Sequence, residues 1–566
     1  MKIIAQKSKY HRFGFYYDYA PDIVEFCRSL KEAFSWQRFN YDTTSGEKRW
    51  VFSDSFLVTV IKEAFPNIEI DPIVWEIVKH EQKIVEDANT RGHEIEKIKQ
   101  KTDSNISING IKGELYPYQK VGVEFLIASG GRAIISDSPG CGKSVQALAF
   151  AQIKKFNRIL IVCPASVKFA WVNEIKKWTK MSSMIIDSKT KLHEIDGSIQ
   201  YWVINYDILK RHFPQLSKIK FDLIIGDEAH FCKSIRSQRG KVFRQLSRNI
   251  PHIVLLSGTP LLSRPIELFS LLNILDPAQW NNYYDYARVF CAAKQTRFGL
   301  DVSGISNAEE LHRRIRGYFL RRTKEDVLKD LPPKNRIEVP VEIEKSIARK
   351  YEIAESNFVS YMKQYSGKQP PEIAKTLQAE KLSQLNVLRM LNAVGKIPTA
   401  EEIIESIIES DEKIIVFCSF VEPLKKLHEK YKSKSVILTG ETPVGERGNI
   451  INSFQNDDNV KIFFGGIKSA GVGITLTASS NVLFLDFPWN PADSLQAEDR
   501  AHRISQKAES VNIYQLYADG TIDDDLRKIL QKKQGIFDAV IDGKFNENIA
   551  KDAIDAVTQG ILKKYK

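Results

Sequence analysis

Short runs of consecutive apolar residues recur in two separate series along the chain. In the first series, over residues 113–335, the runs alternate with stretches whose apolar positions have helical spacing. Runs that are apolar at successive positions are typical of strands buried on both faces of a parallel sheet. The predicted strands of this series contain the segments RAIIS, RILIVC, YWVINY, DLIIGDE and HIVLLSG.

A second series occupies residues 401–566, after a charged, strand-poor and mostly helical stretch at residues 336–400. The two series predict an α/β protein with two lobes, each built on a parallel sheet, and a helical insertion between them. The predicted strands of the second lobe contain the segments KIIVFCS, SVILTG, KIFFGG, NVLFLDF and VNIYQLY.

The residues before the first series have a different pattern. Aromatic and basic residues alternate within residues 1–80, which predict a small α+β domain. Apolar positions at helical spacing predict a helix over Asp71–Gln100. Residues 81–112 are interpreted as a helical linker that ends in the polar stretch Thr102–Lys112.

The composition is that of a globular protein with a basic surface. The chain has 566 residues, of which 43% are hydrophobic and 27% are charged, and its formal net charge is +12. This balance excludes a disordered chain and favours an anionic partner such as nucleic acid. The length predicts two to four domains.

The cysteine pattern and the length of the apolar runs predict the compartment in which the protein resides. The six cysteines are scattered and form no CxxC pair, so we expect free thiols in a reducing compartment and no structural metal. No apolar run approaches the roughly 20 residues of a membrane helix, and the N-terminus lacks the apolar core of a signal peptide. We therefore expect a soluble intracellular protein, in the cytoplasm or nucleoid if its source is prokaryotic or viral.

The segment SDSPGCGKS, Ser136–Ser144, lies between a predicted strand and a predicted helix. Its glycines let backbone N–H groups approach phosphate oxygens, Lys143 supplies positive charge, and the Ser144 hydroxyl is a candidate Mg²⁺ ligand. Asp137 stands where the general phosphate-loop pattern has its first glycine. The candidate nucleotide-binding residues are Pro139, Gly140, Cys141, Gly142, Lys143 and Ser144.

An acidic pair, Asp227 and Glu228, follows the predicted strand DLIIG. Ligand-facing residues of doubly wound sheets lie at the carboxyl ends of strands, and we expect this strand to neighbour that of the phosphate loop. Asp227 is predicted to hold Mg²⁺, and Glu228 is predicted to orient and deprotonate the attacking water. A solvated acidic turn is the alternative for the pair taken alone.

Two arginines, Arg500 and Arg503, are predicted to share one face of a helix in the second lobe. Guanidinium groups from one lobe can reach across a cleft and stabilise charge on a transferring phosphoryl group. A solvated basic face is the alternative for arginines on a helix.

Taken in order, these motifs resemble those of the superfamily-two helicase-like ATPases, and within them the Swi/Snf-type branch. That branch has Asp in place of the first phosphate-loop glycine, as at Asp137. The segments LSRPIEL, DVSGISN and LRRTKEDVLKDLPPK further resemble the HepA-related annealing helicases, which rewind DNA at forks. The ordered motifs run over Leu115–Leu530 and comprise LYPYQ, SDSPGCGKS, CPAS, VINYD, DEAH, LSGTP, LRRTKEDVLKDLPPK, KIIVFCSF, SAGVGITLT, DFPWNP and QAEDRAHRISQ.

The resemblance implies two RecA-like lobes and further roles at matching positions. Gln119 is implied to read the adenine edge, which favours ATP over GTP, and Gln496 joins the catalytic set. Ser257 and Thr259 are implied to couple hydrolysis to movement of the lobes. Trp489 is implied to lie against the DNA strand; the alternative is that it is a tryptophan packed at an interface within the protein. The residues implied to contact DNA are Ser166, Asn205, Lys233, Thr439, Gly440, Ser469 and Trp489.

Four residues differ from those usual in the Swi/Snf-type branch, and a basic segment follows the DEAH motif. Ser138, Pro139, Cys141 and Ser505 replace the usual residues, and we expect these changes to alter nucleotide affinity or loop closure more than the chemistry. The segment FCKSIRSQRGKVFRQLSR carries six basic residues and no acidic one, which suits phosphate contacts or a solvated face.

Residues 1–80 resemble the HepA-related accessory domain, which engages branched or single-stranded DNA and carries a Trp-x-Phe signature. Trp50 and Phe52 match that signature, and Lys48 and Arg49 are adjacent candidate phosphate contacts. The alternative is that Trp50 and Phe52 are core residues of a strand.

The predicted function is a DNA-dependent ATPase that moves along double-stranded DNA and remodels or anneals forks and other branched structures. The alternatives are a translocase that displaces proteins, a strand-separating helicase, and a nucleotide-gated DNA clamp with little hydrolysis. The expected cofactors are ATP and Mg²⁺. The expected partners are double-stranded or branched DNA and single-strand-binding or replication proteins, with no membrane partner, and we expect a monomer.

Overall fold

The computed structural model describes most of the chain. The described residues are 1–6, 12–33, 39–42, 49–52, 55–258, 264–296, 299–328, 331–364, 371–470, 474–503, 506–540 and 561. Lys48, Thr259 and Ser505, which the sequence singled out, lie outside them.

The N-terminal residues form a mixed five-stranded sheet that shares its core with three helices. The elements are β1 (Lys2–Ala5), β2 (Phe13–Tyr16), α1 (Pro21–Ala33), β3 (Asn40–Asp42), β4 (Arg49–Phe52), α2 (Ser55–Ala64), β5 (Glu69–Ile70) and α3 (Pro72–Lys99). The strand order is β3-β4-β2-β1-β5, with only β1 and β5 parallel among these described strands. Ile3, Phe15 and Phe52 are fully buried in the core between sheet and helices. A small α+β domain is therefore present, as predicted.

The helix predicted over Asp71–Gln100 is confirmed as α3. Asp71 caps it by accepting a hydrogen bond of 2.9 Å from the Ile73 backbone N–H, and Gln100 is its C-cap. Near its end, Ile95 is buried in the core of the first lobe, and Lys99 Nζ donates to the Arg316 carbonyl at 2.8 Å. This helix therefore joins the N-terminal domain to the first lobe.

The first lobe is built on a seven-stranded sheet in the order β14-β6-β11-β10-β7-β9-β8, in which every neighbouring pair is parallel. The elements are α4 (Pro117–Ala128), β6 (Arg132–Ile135), α5 (Lys143–Ile153), β7 (Ile159–Cys163), α6 (Lys168–Trp178), β8 (Ser183–Ile185), β9 (Tyr201–Asn205), α7 (Leu209–Leu216), β10 (Leu223–Asp227), α8 (Gln238–Ser247), β11 (His252–Leu256), α9 (Ile266–Leu275), α10 (Tyr283–Phe290), β12 (Lys294–Thr296), β13 (Gly299–Asp301), α11 (Ala308–Ile315), β14 (Phe319–Leu320) and α12 (Lys324–Val327). The five predicted strands are confirmed and form the centre of this sheet.

The strand order corrects one prediction. The phosphate-loop strand β6 and the acidic-pair strand β10 are not neighbours, because β11 lies between them and pairs with both. All three strands are continuous apolar runs, so their sequences do not encode the order in which they pair. The order places the LSG turn after β11 between the loop and the acids.

The second lobe has a six-stranded sheet in the order β15-β20-β19-β16-β18-β17, again parallel throughout. The elements are β15 (Lys334–Pro340), α13 (Lys345–Gln364), α14 (Pro371–Gly395), α15 (Ile397–Glu409), β16 (Ile414–Cys418), α16 (Val421–Lys430), β17 (Ser435–Leu438), α17 (Val444–Asn456), β18 (Ile462–Gly466), α18 (Ile467–Ala470), β19 (Asn481–Phe484), α19 (Pro491–Ala501), β20 (Val511–Tyr517) and α20 (Ile522–Val540). All five strands predicted here are confirmed.

The edge strand β15 was not predicted. Its sequence KNRIEVP mixes charged and apolar residues, and most of its side chains are exposed, because it pairs with β20 at the edge of the sheet. It crosses the boundary predicted at residue 335 between the first lobe and the insertion, and it belongs to the sheet of the second lobe.

The helices between the two series pack onto the second lobe. Lys396, between α14 and α15, is fully buried, and its ammonium group donates to the Leu485 and Leu516 carbonyls at 3.2 and 3.0 Å and pairs with Asp523. Ala400 and Ile404 of α15 lie in the same core as strands β16 and β18. This core therefore includes the helical stretch.

The remaining structural predictions concern thiols and membrane helices. All six cysteines are free and buried, as expected. Among the described helices, none combines the length and the low polarity that crossing a lipid bilayer requires.

Candidate nucleotide site between the lobes

The phosphate loop enters α5 through two glycines with positive φ. Gly140 has φ of +91° and Gly142 has φ of +77°, conformations that residues with a Cβ rarely adopt. A Cβ on Gly142 would lie 2.3 Å from Gln119 Nε2, so this position has no room for a side chain. The backbone N–H groups of Lys143 and Ser144 lie in the first turn of α5, where no acceptor exists within the helix. This end of α5 can therefore bind an anion.

Lys143 is held over the phosphate loop. Its Nζ donates to the Asp137 carbonyl at 2.8 Å and to the Ser138 carbonyl at 3.3 Å. Burial raises the pKa of Asp227, and the charge of Lys143 limits that rise; the same charge contributes to the lowered pKa of Glu228. The predicted phosphate-binding lysine thus lies within electrostatic reach of the predicted acidic pair.

The turn after β11 packs directly on the phosphate loop. A Cβ on Gly258 would lie 3.2 Å from Pro139 Cγ and 3.8 Å from Lys143 Nζ. Ser257 is fully buried, and its backbone N–H donates to the Ile135 carbonyl at 3.2 Å. Ser257 therefore lies beside the phosphate loop. The coupling roles of Ser257 and Thr259 stay predictions.

Asp137 is a buried anchor of the loop. Its carboxylate is inaccessible to solvent, and it accepts a hydrogen bond of 3.0 Å from Arg322 Nε and another from Arg322 Nη2. Gln146 Nε2 donates to the same carboxylate at 3.1 Å. Arg322 follows β14, so the residue that replaces the first glycine joins the loop to the segment leaving the first lobe. The sequence analysis did not identify Arg322.

Gln119 lies against the phosphate loop with its carboxamide largely buried. Its Oε1 accepts from the Tyr116 backbone N–H at 3.1 Å, and its Nε2 donates to the Cys141 carbonyl at 3.3 Å. The ring of Tyr116 is 47% exposed and stacks on Tyr118 with ring centres 5.8 Å apart. An exposed ring beside a fixed carboxamide can stack on a purine and bind its polar edge. The sequence reasoning used Gln119 of LYPYQ and overlooked its Tyr116.

Asp227 ends β10 with a partner that the sequence did not reveal. Trp171 Nε1, on α6, donates to Asp227 Oδ2 at 2.8 Å. Burial and the neighbouring charge of Glu228 raise the pKa of Asp227 to about 6. The half-buried carboxylate is therefore oriented by the indole and would be stabilised by a cation.

Glu228 has a strained backbone and a buried carboxylate. Its φ of +50° places it in the left-handed region, which is uncommon for a residue with a side chain. Burial raises the pKa of Glu228, but nearby His230 and the charges of Lys143 and Arg500 outweigh burial and lower that pKa overall. His230 Nδ1 lies 3.2 Å from Glu228 Oε2, yet this buried oxygen has no hydrogen-bond partner among the described residues. An ionised carboxylate with an unsatisfied oxygen can accept a proton or a water hydrogen bond.

Arg500 and Arg503 do not share a helical face, as had been predicted. Arg500 lies in the last turn of α19, whereas Arg503 follows the C-cap residue His502. The helix ends there because His502 leaves the helical conformation and its Nε2 contacts the Pro332 carbonyl at 2.8 Å. Arg503 Nε still reaches back to the Asp499 carbonyl at 3.1 Å, which keeps both guanidinium groups on the same side of the lobe.

The cleft brings both arginines to the phosphate loop and the acidic pair. Arg503 Cγ lies 3.6 Å from the position that a Cβ on Gly140 would take. Arg500 is almost fully buried, and burial together with Arg503 lowers its pKa, while Glu228 opposes this shift. Gln496 is buried one turn earlier, and its carbonyl accepts from Arg500 Nε at 3.0 Å. Both guanidinium groups are held within the second lobe, where Arg500 Nη1 donates to the Ile474 carbonyl at 3.3 Å and Arg503 Nη1 donates to Thr475 Oγ1 at 2.6 Å.

These residues fit a nucleoside triphosphate with Mg²⁺. The glycine cradle and the helix end suit phosphate oxygens, and Arg500 and Arg503 add positive charge on the other side of the cleft. Ser144 and Asp227 offer the oxygen ligands that Mg²⁺ prefers. The unsatisfied Glu228 Oε2 is placed for a water. The individual roles stay predictions.

The residues implied to contact DNA from the first lobe follow three adjacent parallel strands. Ser166 follows β7 and is exposed, Asn205 ends β9 and is buried, and Lys233 follows β10. Because the strands are parallel, these residues lie at the same edge of the sheet as the phosphate loop. Lys233 Nζ donates to Glu267 Oε1 at 3.0 Å, so its ammonium group already has an acidic partner.

The corresponding residues of the second lobe follow β17 and β18. Gly440 is exposed, whereas Thr439 is buried with its Cα 3.8 Å from the position of a Cβ on Gly466. Ser469 Oγ donates to the Gly466 carbonyl at 3.1 Å. These residues therefore lie together at one edge of the sheet.

Trp489 is half-buried and surrounded by the helical stretch. The Arg389 guanidinium group lies over the Trp489 ring, 5.1 Å from the ring centre, and Trp489 Nε1 donates to Asn386 Oδ1 at 3.3 Å. These contacts are those of the packed interface tryptophan that the sequence left as the alternative.

The Trp-x-Phe signature lies in the core of the N-terminal domain. Trp50 is 6% exposed and stacks on Phe39 at 5.0 Å, and Phe52 is fully buried. Their positions correspond to the alternative of core residues on a strand, here β4. Arg49 is half-buried on the same strand, and Lys48 lies outside the described residues.

Comparison with known proteins bears on both lobes. Residues 118–393 match the model of the SNF2-related domain, and residues 396–505 match that of the helicase conserved C-terminal domain. The two matches adjoin and include the phosphate loop, the acidic pair and both arginines.

Individual relatives carry related names. The chain is 36% identical over 437 residues to a SWI/SNF-related matrix-associated actin-dependent regulator of chromatin subfamily A-like protein 1 homolog of Caenorhabditis elegans, covering 75% of this chain and 62% of the relative. It is 31% identical over 453 residues to the DNA annealing helicase and endonuclease ZRANB3 of Mus musculus, covering 77% of this chain and 41% of the relative. The chain thus spans less than two thirds of the length of these relatives.

A solved structure was also matched, the Sulfolobus solfataricus SWI2/SNF2 ATPase core in complex with dsDNA. It is 25% identical, with a TM-score of 0.39, and the match covers 81% of this chain and 98% of that one. On the two domain matches, and with the motifs in order along both lobes, the chain belongs to the SNF2-related family of helicase-like ATPases.

Proposed function

We propose that the chain is an ATPase stimulated by double-stranded DNA, which moves along the duplex and remodels or anneals forks and other branched DNA. The observation that carries the proposal is the approach of Arg503 to Gly140 of the phosphate loop, with the charge of Arg500 acting on Glu228. The formal charge of +12 and a relative named DNA annealing helicase support DNA as the partner.

Binding of the triphosphate is assigned to the first lobe. The N–H groups at the start of α5 and the Lys143 ammonium group hold the phosphate oxygens, and the carbonyls that now accept from Lys143 are released. Ser144 and Asp227 hold Mg²⁺, which supplies charge neutralisation at the phosphates. Trp171 fixes the Asp227 carboxylate in place through its 2.8 Å hydrogen bond. Gln119 and Tyr116 select adenine.

Hydrolysis requires both lobes. Glu228 accepts a proton from the attacking water at Oε2, a buried oxygen that has no hydrogen-bond partner among the described residues. Arg500 and Arg503 stabilise the negative charge that develops on the transferring phosphoryl group. Because each arginine belongs to the second lobe, the site is complete only when the cleft is closed.

Movement along DNA follows from repeated closure of the cleft. Ser257 and Gly258 pack against the loop and transmit its changes to the edge of the sheet, where Ser166, Asn205 and Lys233 are assigned to one part of the DNA backbone. Thr439, Gly440 and Ser469 are assigned to the next part. Opening or closing of the cleft then moves the DNA-contacting residues of one lobe relative to those of the other lobe along the strand.

The decisive experiment compares DNA structures as activators. ATP hydrolysis is measured at one defined salt concentration with a model fork, a linear duplex of the same sequence, a single strand and an RNA duplex. We expect stimulation by both DNA duplexes and a lower half-saturating concentration for the fork. Equal response to fork and linear duplex would contradict the preference for branched DNA and favour a protein-displacing translocase.

Two readouts separate the remaining alternatives: release of a labelled strand and ATP turnover. A strand-separating helicase would release a labelled strand from the fork, whereas the proposed enzyme would rejoin strands. Turnover equal to the no-enzyme control at saturating DNA would contradict an ATPase motor and favour a nucleotide-gated clamp. If turnover were absent, Pro139 of the phosphate loop would be the residue held responsible, because it packs against Gly258 in the turn after β11.

A further inference from the structure

The segment that leaves the first lobe is joined to the phosphate loop. The Ser136 and Ser138 backbone N–H groups donate to the Leu320 and Arg322 carbonyls at 2.6 and 3.0 Å. Arg322 also holds the buried carboxylate of Asp137. The loop and this segment therefore lie side by side and move together.

Two residues further on, the same segment is joined to the second lobe. Lys324 Nζ donates to Asp499 Oδ1 at 2.8 Å and to the His502 carbonyl. The side chains of Lys324 and Asp499 are only 3% and 5% exposed. A buried ion pair tolerates little change in geometry, because its desolvation is offset only when its hydrogen bonds are well formed. We refer to Arg322–Lys324 as the strap.

Asp499 adjoins both arginines of the site. It directly precedes Arg500 in α19, and its carbonyl accepts from Arg503 Nε at 3.1 Å. Lys324 also lies next to the phosphate loop, with its Cε 3.5 Å from the position of a Cβ on Gly140. The strap therefore connects Asp137 on the loop with Asp499 beside the arginines through three consecutive residues.

We propose that Lys324 is a positioning residue, which holds Asp499, and through it Arg500 and Arg503, in register with the phosphate loop. The proposal rests on the hydrolysis of ATP in this cleft. Occupation of the loop by phosphate shifts Asp137 and the adjoining strap, and Lys324 passes this shift to α19. The arginines then reach their working position only when the loop is filled.

The role differs from that of the other basic neighbours of Asp499. Lys334 Nζ also donates to Asp499 Oδ1, at 2.9 Å, and Lys334 and Arg336 pair with Glu498. Lys334 and Arg336 belong to β15, and Glu498 and Asp499 belong to α19, so these ion pairs lie within the second lobe. Only Lys324, among these three, belongs to the strap. Removing Lys324 leaves Asp499 paired with Lys334, so the second lobe keeps its buried charge balanced.

The test uses the full chain with Lys324→Met, Lys324→Arg and the matched control Lys425→Met. Lys425 forms an exposed ion pair with Glu441 at 2.8 Å, far along the chain from the strap and the arginines. The readouts are kcat and KM for ATP at saturating duplex DNA, and calorimetric binding of ADP with and without aluminium fluoride, which stands for the transferring phosphoryl group.

We expect Lys324→Met to lower kcat by about 10-fold or more with KM changed by less than about 3-fold, because the arginines act in the transition state. The additional affinity that aluminium fluoride confers on ADP should fall in parallel, while binding of ADP alone stays unchanged. Lys324→Arg should recover most of both properties, and Lys425→Met should match the wild type.

Two results would overturn the proposal. Equal weakening of ADP binding and of the fluoride complex would show that Lys324 only maintains the fold, and an unchanged kcat with unchanged fluoride binding would show that it positions nothing. If the wild type hydrolyses no ATP with any DNA, the proposed function fails instead. The comparison of ADP with its fluoride complex then still decides whether Lys324 positions the arginines.

Discussion

Arg322 Nε donates a hydrogen bond of 3.0 Å to Asp137 Oδ1, inside the first lobe and across 185 positions of sequence. The carboxylate lies where the general phosphate-loop pattern has glycine, and it receives a further hydrogen bond from Gln146. Asp137 therefore contributes to the structure of the loop and its neighbours, and its side chain points into the protein core and not toward a ligand.

Replacing Asp137 by glycine should destabilise the first lobe. Arg322 would be left buried without its acidic partner, which costs about 3 kcal/mol and corresponds to a fall of roughly 6 °C or more in the melting temperature of that lobe. Differential scanning calorimetry measures the change. Asp458→Gly, at an exposed position, is the control. A melting temperature equal to that of the control would show that the ion pair contributes nothing.

Glu228→Gln and Lys143→Ala should abolish turnover without unfolding the protein. The amide cannot accept the proton of the attacking water, and we expect a loss of about 100-fold or more in kcat. Lys143→Ala removes the ammonium group from the phosphates and should also raise the Kd for ATP. DNA-stimulated hydrolysis measured beside circular dichroism checks both variants. Retained hydrolysis in either variant would contradict its assigned role.

Arg500→Ala should lower kcat more than it raises KM. Its guanidinium group is charged, buried and close enough to Glu228 to lower the pKa of that carboxylate, so it is placed to act on the reacting phosphoryl group. Arginine fingers contribute about 1,000-fold or more to kcat in related phosphoryl-transfer enzymes. Steady-state kinetics at saturating DNA measures the loss. Arg313→Ala, at a half-exposed ion pair with Glu310, should leave kcat unchanged.

Trp171→Phe should raise the Mg²⁺ concentration needed for half-maximal activity by about 10-fold, the lower end of the range for lost second-layer contacts to a metal ligand. The phenyl ring keeps the packing of α6 but cannot donate to Asp227. Trp178→Phe is the matched control, since this second tryptophan of α6 donates to Glu174 at 2.9 Å, away from the acidic pair. Equal Mg²⁺ requirements for the two variants would show that the indole does not orient Asp227.

The sequence predicted much of the fold because apolar runs report burial on both faces of a strand. All ten predicted strands are present; nine lie inside the two sheets, and β17 forms one edge of the second sheet. The pattern could not identify β8, β14 or β15, which are short or lie at an exposed edge. It could not order β6, β11 and β10 either, since the three runs are equally apolar.

The candidate site was predicted where its chemistry is local in sequence. The phosphate loop and the acidic pair are contiguous motifs, so residue types alone suffice. Trp171 and Arg322 meet their partners across 56 and 185 positions, and such contacts leave no pattern in a single sequence. The end of α19 before Arg503 likewise depends on a contact of His502 with Pro332, in the segment between the lobes.

The dependence of kcat on pH should distinguish wild type from Lys324→Arg. Burial lowers the pKa of Lys324 to about 8, although Asp499 opposes this shift; Lys334 adds to it, and Cys141 opposes it weakly. Cys141 itself has a pKa raised to about 12 by burial, and His502 a pKa lowered to about 4, so neither titrates between pH 7 and 10. The wild-type kcat should therefore decline above about pH 8, as Lys324 loses its proton and its charge-assisted contact with Asp499. Arginine keeps its proton throughout this range, so the variant should hold its kcat to higher pH.

Unfolding can be told apart from this decline, because the contribution of Lys324 to stability should change in the opposite direction. The folded-state pKa of Lys324 lies below its unfolded value of about 10.4, so the unfolded chain binds more protons between about pH 8 and 10.4. The contribution of Lys324 to the free energy of unfolding therefore rises across this window, while kcat falls. Arg500 and Arg503 are common to both proteins, so any effect of pH on them appears in both kcat profiles. Melting temperatures and kcat measured in the same buffers separate the two effects, and identical kcat profiles for the two proteins would contradict control by Lys324.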